Sequence, residues 1–597
     1  MESVMGKVRI RKNLAPSRWE VKPIWDELDH FARTLSVPQL VAQLLYNRGL
    51  DQEPHARQFL QPSLKDLIDP VQLDGIELGV ERIMRAVREE EKIVLYGDYD
   101  VDGITGVSIL WHCLCLAGVE VEYYVPHRLD EGYGLNLEAV EHLAGRGAKL
   151  LITVDCGITA VEEVARAREL GMDVIVTDHH TADEILPDAT AIIHPGLENT
   201  AYPNPHLCGS AVAFKLAWAL SQAFSGNKKV SQEFRDYLLK ATALVALGTI
   251  ADVVPLVGEN RVLVHFGIQG LSKSADHGIT ALMEASGLTG ENVESSDVAF
   301  RLAPRLNAAG RMGHARLAVE LFTRSNPERA REIANYLEGQ NKLRQKVERE
   351  ITALAKEQVA ALGMEGDDYA GFVLSGENWH GGVVGIVASR IVDTYHRPTV
   401  VISVQGATAT GSARSVPGFD VHAAIEACSD YLIRFGGHKM AAGVTLDPEN
   451  IEGFRAAFND YAINHYADEK LERILEIDAD VDLNALDFKT VEMIHKLAPF
   501  GQGNPEVRLV ARNLKLAGPV KTMGQRGDHL QMHVADKDDP DPHMRPGGIL
   551  RVVGFGKAKW EKKLLDAEHF DLVFEPRINR FNGSANVEIF AEDIKFY

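Results

Sequence analysis

Five short apolar runs recur between about residues 90 and 195: KIVLYG, VEVEYYVP, KLLITVD, MDVIVTD and TAIIHP. Helical segments such as VEEVARAREL lie between them. A strand that is apolar at every position must be covered on both faces, and a parallel sheet flanked by helices provides that cover. The pattern therefore restricts this region to an α/β fold. In such folds ligands bind at the loops that follow the carboxyl ends of the strands.

Those ends carry acids. In YGDYDVDGIT, Asp98, Asp100 and Asp102 occupy alternate positions, and alternate side chains of an extended chain share one face. Three carboxylates there repel one another unless cations compensate. A plain turn is one alternative, since Asp and Gly are common turn residues. A calcium loop is another, but it needs Glu at its twelfth position, and counting from Asp98 that position is Ile109. LLITVDCGIT ends its run in Asp155, DVIVTDHH in Asp178, His179 and His180, and ALGTIADVVPL places Asp252 after a further apolar segment. Each Asp alone reads as a helix cap or turn residue. Their recurrence, with adjacent histidines, reads as one metal site on one edge of the sheet. Oxygen ligands with an imidazole suit Mn2+ or Mg2+ better than a structural zinc. Two such ions sharing carboxylates are suited to phosphoester hydrolysis.

The chain has 597 residues, enough for several domains. Lys and Arg number 63 against 85 Asp and Glu, a net charge of −22. Alone this opposes nucleic-acid binding, because phosphate contacts need basic residues. Metal-held carboxylates are neutralised locally, however, and a basic groove can sit on an acidic body. The five cysteines form no C-x-x-C pair, which points to a reducing compartment, and a cytoplasmic location is expected. No apolar run is long enough to span a bilayer, and the N-terminus lacks the apolar core of a secretory signal.

Residues 1–75 are helical in pattern, with breaks at Pro16, Pro38, Pro54 and Pro62, and residues 205–325 are mostly helical. Pro327 opens a long amphipathic stretch with Ile333, Leu337, Leu343, Val347, Ile351, Leu354, Val359 and Leu362 near one face, closed by Gly363. A second, smaller α/β unit follows, and then apolar–polar alternation that reads as an all-β, OB-like barrel with an Asn582-Gly583 hairpin signal. The expected division is 1–75, an N-terminal helical extension; 76–325, the parallel-sheet domain; 326–365, a connecting long helix; 366–465, the second α/β domain; and 466–597, the barrel.

YGDYDVDGIT, TVDCGIT, VTDHH and GTIADVVPL, in this order, resemble the DHH phosphoesterase superfamily. RLNAAGRMG (Arg305–Gly313), WHGGVVGIVASR (Trp379–Arg390), GSARS (Gly411–Ser415) and GGHKMAAG (Gly436–Gly443) resemble its RecJ branch and the DHHA1 domain of that branch. The resemblance covers nearly the whole chain. It implies a 5′→3′ exonuclease that hydrolyses single-stranded DNA by a two-metal mechanism, releasing 5′ mononucleotides in recombination and repair, mismatch repair included. It implies Asp100, Asp102, Asp155, His179 and Asp252 as metal ligands, with Asp155 bridging two ions of Mn2+ or Mg2+. It further implies Asp98 as a ligand or a ligand's partner, His180 as a contact of the scissile phosphate or an aid to proton transfer, and Asp178 as the residue that orients the histidines. By the same resemblance Arg128, Arg311, Ser412 and Arg414 are expected to grip the 5′-terminal phosphate or nearby backbone, and Asn307, His380 and His438 to bind substrate. The resemblance also implies single-stranded DNA-binding protein and a RecQ-type helicase as partners. A monomer is expected, with no membrane contact.

The residues bear on these roles independently. Arg128 follows the strand VEYYVPH and is expected at the same sheet edge; Arg311 reads as part of a Gly-flanked loop. Guanidinium forks match phosphate oxygens. The glycines around His438 permit close backbone approach and read as a nucleotide-binding loop facing the metal site. His314 is a loop histidine, and Cys156, with no adjacent base, a packed residue. Tyr133, Phe419 and Phe500 are stacking candidates for which core packing is the default. Two rival functions remain. One is a superfamily enzyme for small substrates: short oligonucleotides, cyclic dinucleotides or pyrophosphate. The other is a non-catalytic DNA scaffold of the Cdc45 kind, which has lost metal ligands.

Overall fold

The computed structural model describes residues 17–127, 131–132, 134–288, 293–311, 314–366, 368–465, 473–540, 548–581 and 584–597. The chain divides into two compact units, one built from 21–339 with 477–597, the other centred on 340–476.

In the first unit, β1 (Ile93–Gly97), β2 (Val121–Tyr124), β3 (Leu150–Val154), β4 (Asp173–Thr177) and β5 (Ala191–Ile193) form an all-parallel sheet in the order β2-β1-β3-β4-β5. β1 and β3 are buried at every position, as their unbroken apolar sequence requires. Alternate side chains serve separate cores. Ile93, Leu95, Leu150 and Ile152 pack with helices α1 (Val101–Leu116), α4 (Gly209–Ser225) and α5 (Gln232–Ala251). Val94, Tyr96 and Leu151 pack with α2 (Leu137–Gly145) and α3 (Val161–Glu169). Strand order reverses between β1 and β3, so a crevice opens at their carboxyl ends. On α4 the fully buried Lys215 ammonium binds the Glu259 carboxylate and the Ile68 carbonyl. Glu259 lies on α6 (Gly258–Ser272) and also accepts from Ile68 N at 2.7 Å and the Tyr202 hydroxyl at 2.5 Å. Further along the same unit, α7 (Ala303–Arg311) continues a five-residue π-helical turn, Val298–Leu302.

Helix α8 (Pro327–Ala361) has 35 residues, about 52 Å at 1.5 Å per residue. Ile333 and Leu337 belong to the core of the first unit; Ile351 and Val359 belong to a core of the second. The apolar face expected along the whole helix is not continuous. Leu343, Leu354 and Leu362 are 44%, 50% and 44% exposed. The six-residue step from Leu337 to Leu343 turns the side chain by roughly 240°, away from the buried stripe.

The second unit carries β6 (Phe372–Glu377), helix α9 (Gly381–Tyr395), β7 (Thr399–Gln405), β8 (Thr408–Arg414), β9 (Arg434–His438) and β10 (Ala441–Leu446). The sheet order is β9-β10-β8-β7-β6, parallel only between β6 and β7.

Returning to the first unit, β11 (Leu509–Leu516), β12 (Lys521–Met523), β13 (His529–Asp536), β14 (Leu550–Gly554), β15 (Phe570–Phe581) and β16 (Ser584–Phe596) form the C-terminal module. β11 pairs with both β15 and β13, and β15–β16–β14–β13 complete a ring. Closure removes free edges, as in an OB barrel. The Asn582-Gly583 pair lies outside the described residues; the strands flanking it pair with Phe581 opposite Ser584. The helices Leu28–Leu35, Gln39–Tyr46 and Glu53–Leu60 share one core with this barrel, joining Phe31, Leu44 and Leu45 to Leu483, Ile494 and Leu509.

Removing one partner of a buried ion pair strands the other charge. Lys215→Ala should therefore lower unfolding free energy by about 3–5 kcal/mol, read as an earlier midpoint in urea denaturation.

Candidate metal centre

Each acidic group is placed by the end of a strand or helix. Asp98 follows β1, is 3% exposed, and continues the ladder by donating its N–H to Val154 O at 3.2 Å. Asp100 caps α1, its carboxylate accepting from Asp102 N at 2.8 Å and Gly103 N at 3.1 Å. Asp102, in the first turn of α1, accepts from Gly209 N at 2.5 Å and Ser210 N at 3.0 Å, the opening residues of α4. Two glycines allow this crowding. A Cβ on Gly103 would lie 2.6 Å from the Asp98 carbonyl oxygen, and one on Gly209 would lie 2.5 Å from an Asp155 carboxylate oxygen. Asp155 follows β3 with a left-handed backbone, φ +63°, and is 1% exposed. After β4, Asp178 accepts from His179 N at 2.7 Å, His180 N at 3.2 Å and Ile158 N at 2.9 Å, and it lies 2.7 Å from His180 Nδ1. Asp252 ends α5.

These groups converge. His179 Nε2 lies 3.1 Å from Asp155 Oδ1, 3.5 Å from Asp252 Oδ2 and 3.8 Å from Asp102 Oδ2. Ligand atoms fall within 4.8 Å of one another in three sets: Asp98, Asp100 and Asp155; Asp155, His179 and His180; and Asp102, His179 and Asp252. Asp155 and His179 each belong to two. Buried Asp155 Oδ1 and His179 Nε2 face each other, yet neither has a hydrogen-bond partner. Orphaned buried polar atoms are costly, and a cation between these groups would satisfy both. The carboxylate-and-imidazole set fits a hard or borderline divalent ion.

Electrostatics agree. Burial, then the neighbouring Asp102 and Asp100, push Asp155 well above the usual carboxylate range. Burial and Asp102 raise Asp100 as well, and they bring Asp252 up to about 8. Burial lowers His179. Burial also pulls His180 down, but its hydrogen bond and charge pairing with Asp178 outweigh this and hold it at about 9. Asp178 stays below the usual range despite burial, because His180 and backbone N–H groups bind its charged form.

All eight acidic and histidine residues expected at the centre, Asp98, Asp100, Asp102, Asp155, Asp178, His179, His180 and Asp252, are brought together. Arg128 and Tyr133 lie outside the described residues. Arg311 is the last residue of α7 and not part of a loop. Gly310 reads as a breaker in sequence, but here it lets the helix end close on the Tyr99 carbonyl oxygen, which a Cβ would approach to 2.5 Å. This brings the Arg311 end of the helix to the loop carrying Asp98 and Asp100. Asn307, one turn earlier, shares the Arg311 face.

GGHKMAAG is likewise not a loop. Gly436–His438 end β9, Ala441–Gly443 open β10, and only Lys439 and Met440 turn the chain. His438, Ala441 and Arg414 align in one cross-strand row; Gly436, Gly443 and Ser412 align in the next on the same face. Arg414 donates to Ser412 Oγ at 3.0 Å. His380 caps α9, its Nδ1 accepting from Gly382 N at 3.1 Å. His314 is exposed, its ring edge-on to Tyr336. Phe419 is core, Phe500 packs against the barrel core, and Cys156 is fully buried with its thiol pushed up by burial. Sequence reasoning missed the Gly209 and Ser210 amides that hold Asp102. Their trace is the run of small residues, Gly209-Ser210-Ala211, opening an apolar helix.

The fold and centre together define a divalent-metal site of the kind suited to phosphoester hydrolysis, set at the switch point of a parallel α/β sheet. The N-terminal domain of the DHH family matches residues 92–244, the DHHA1 domain residues 366–464 and the RecJ OB domain residues 477–593. The single-stranded-DNA-specific exonuclease RecJ of Bacillus subtilis is 36% identical over 579 residues, 96% of this chain and 70% of that protein. Crystal structures of Thermus thermophilus RecJ with Mn2+ and with Mg2+ superpose with TM-scores of 0.81 and 0.74 at 29% and 28% identity. The matches cover 97% of this chain and 79% and 78% of those chains. The chain belongs to the RecJ family of DHH proteins. Among the described residues no helix is long and apolar enough to cross a membrane.

Folding raises Asp252 from 3.8 to about 8. The stability this contributes to the metal-free protein is complete below about pH 4 and is lost as pH rises toward 8. Protons also compete with metal for these carboxylates. Mn2+ should therefore raise the melting temperature little near pH 5.5 and progressively more up to about pH 8, measured by thermal shift against an EDTA-treated control.

Proposed function

We propose that this protein is a single-stranded-DNA-specific 5′→3′ exonuclease that hydrolyses phosphodiester bonds with two Mn2+ or Mg2+ ions and releases 5′ mononucleotides. The observation that carries this reading is the buried nest of carboxylates around His179, with Asp155 Oδ1 and His179 Nε2 lacking partners. Bound ions supply an activated water and charge stabilisation at the phosphate. Asp100, Asp102, Asp155, His179 and Asp252 would hold them, with Asp98 as a further ligand or a partner to one. His180, anchored to Asp178 through Nδ1, turns its other nitrogen to the reacting phosphate and hands a proton to the leaving oxygen.

Arg311, Asn307 and Arg128 bind the strand beside the metals. Ser412, Arg414, His380 and His438 bind its backbone, and gripping the 5′-terminal phosphate sets polarity. Gly436 and Gly443 lie on the face shared by Ser412 and His438, so a sugar-phosphate chain meets bare backbone there. The barrel guides the strand by stacking and charge. The functional division follows 1–75, 76–325, 326–365, 366–465 and 466–597. The enzyme acts as a cytoplasmic monomer in recombination and repair, with single-stranded DNA-binding protein and a RecQ-type helicase as partners. The complete ligand set speaks against a scaffold that has lost its metals. The long helix and barrel speak against a small-substrate enzyme.

The test uses 5′-phosphorylated single strands, 5′- or 3′-labelled, beside duplex and a dinucleotide, with Mn2+ or Mg2+. Immediate release of labelled mononucleotide from the 5′ end, abolished by EDTA, is expected. Attack on the dinucleotide alone would move the protein to the small-substrate class; binding without cleavage would make it a scaffold. Asp252→Asn should lower cleavage about a hundredfold or more while the melting temperature in EDTA holds. Asp102→Ala should lose both, because it also orphans the Gly209 and Ser210 amides.

A further inference from the structure

Asp252 sits where the chain leaves α5 under strain. Val253, the next residue, has φ +60°, a conformation a β-branched residue rarely adopts, and its side chain is 64% exposed. Its own burial contributes little to holding that geometry. The restraint comes from the segment beyond it. Leu256 is buried and donates its N–H to the Gln502 carbonyl at 2.7 Å. A Cβ on Gly501 would lie 2.8 Å from Leu256 Cδ1, and one on Gly503 3.1 Å from Pro255 Cβ. Asn260 Nδ2 donates to the Pro255 carbonyl at 3.0 Å.

The loop that makes these contacts, residues 496–504, joins the helix Phe488–His495 to the barrel and is itself held closely. Gly501 and Asn504 exchange backbone hydrogen bonds of 2.8 and 3.1 Å. The buried Asn504 side chain donates to the Leu497 and Pro499 carbonyls, both at 2.8 Å, and accepts from Arg48 Nε at 2.7 Å. Arg261, 2% exposed, donates to the carbonyls of Lys496, Leu497 and Ala498. Ser295 donates to the Phe500 carbonyl at 2.6 Å, at the start of the helical segment that leads to Asn307 and Arg311.

We infer that the 496–504 loop is a clamp that positions Asp252 for metal binding, with Asn504 as the positioning residue. It rests on the reading of Asp252 as a ligand. The Asp252 carboxylate hangs from a strained turn, and four residues on, the chain is pinned to a loop contributed by the barrel's side of the fold. Loosening the loop lets the turn relax and the carboxylate leave its place beside Asp102 and His179. No residue of the loop belongs to the ligand sets around Asp155 and His179, so its effect is expected on metal affinity and not on the chemical step.

The test measures the Mn2+ dissociation constant of the full chain from the free-ion signal in electron paramagnetic resonance, beside cleavage of single-stranded DNA as Mn2+ is raised. Asn504→Ala and Gly501→Val are each compared with Met532→Ala, a barrel-core variant remote from the loop in sequence and buried. Melting temperatures in EDTA match the variants for destabilisation. The expected result is a dissociation constant raised about tenfold in both loop variants, cleavage restored at saturating Mn2+, and Met532→Ala at wild-type affinity. Unchanged affinity in Asn504→Ala and Gly501→Val would overturn the clamp. So would an equal loss in Met532→Ala. Should Asn504→Ala not fold, Gly501→Ala carries the same expectation. Wild-type protein that binds Mn2+ but leaves single strands intact would fail the exonuclease reading alone, with the clamp decided by the binding data; no Mn2+ binding at all would overturn both.

Discussion

Mutual repulsion of buried carboxylates is the constraint around which the first unit is arranged. Asp155 is 1% exposed and feels Asp102, Asp100, Asp98 and Asp252 together. No folded chain gathers such a group without compensation, because a buried charge costs several kcal/mol unless paired. Compensation here is of two kinds. Backbone amides at the start of α4 hold Asp102, and amides of Ile158, His179 and His180 hold Asp178. Asp155 Oδ1 and His179 Nε2 have no hydrogen-bond partner, and a cation between them would supply the second kind. The amides orient Asp102 and Asp178, and the orphaned atoms are those a cation would satisfy.

Parallel β-topology makes that gathering possible. Three strands, β1, β3 and β4, end at one level, and each hands its next residues to the same crevice. Backbone close approach does the rest. Gly103 and Gly209 permit an Asp98 backbone and an Asp155 carboxylate where any side chain would collide. The stabilising hydrogen bonds and the destabilising charges therefore come from the same few turns, so a substitution at Asp102 disturbs both at once.

The centre was legible in the sequence because strand ends are legible. Unbroken apolar runs announce buried parallel strands, and Asp155 or Asp178 directly after such a run has one place to go. What sequence concealed follows from contacts made across long separations. Gly310 looks like a helix breaker until the Tyr99 carbonyl occupies the space of its missing Cβ. The glycines of GGHKMAAG look like a loop, yet they lie in paired strands, Gly436 and Gly437 on the edge strand β9 and Gly443 on its inner neighbour β10. Leu343 looked like part of a buried stripe because apolar residues are sparse along α8 and its neighbours Leu337 and Val347 are both partly or fully buried; the shift from one core to another along α8 is not written in its periodicity. Nothing local in Phe31 or Leu44 names Leu509, some 465 residues away, as a core neighbour.

An acidic protein that acts on an acidic polymer is less paradoxical than its −22 charge suggests. Part of that charge is in the nest itself. Five carboxylates, Asp98, Asp100, Asp102, Asp155 and Asp252, would present five negative charges if all were ionised, and burial with mutual repulsion pushes Asp100, Asp155 and Asp252 toward the neutral form. Two divalent ions carry four positive charges, enough to turn the nest from a barrier against phosphate into a near-neutral seat for it. Metal occupancy then does double duty in the proposed enzyme: it supplies the chemistry, and it removes the field that would otherwise turn a DNA strand away. Specificity for a loaded centre is built into the electrostatics, because the same carboxylates that repel the substrate in the empty site are those the ions neutralise.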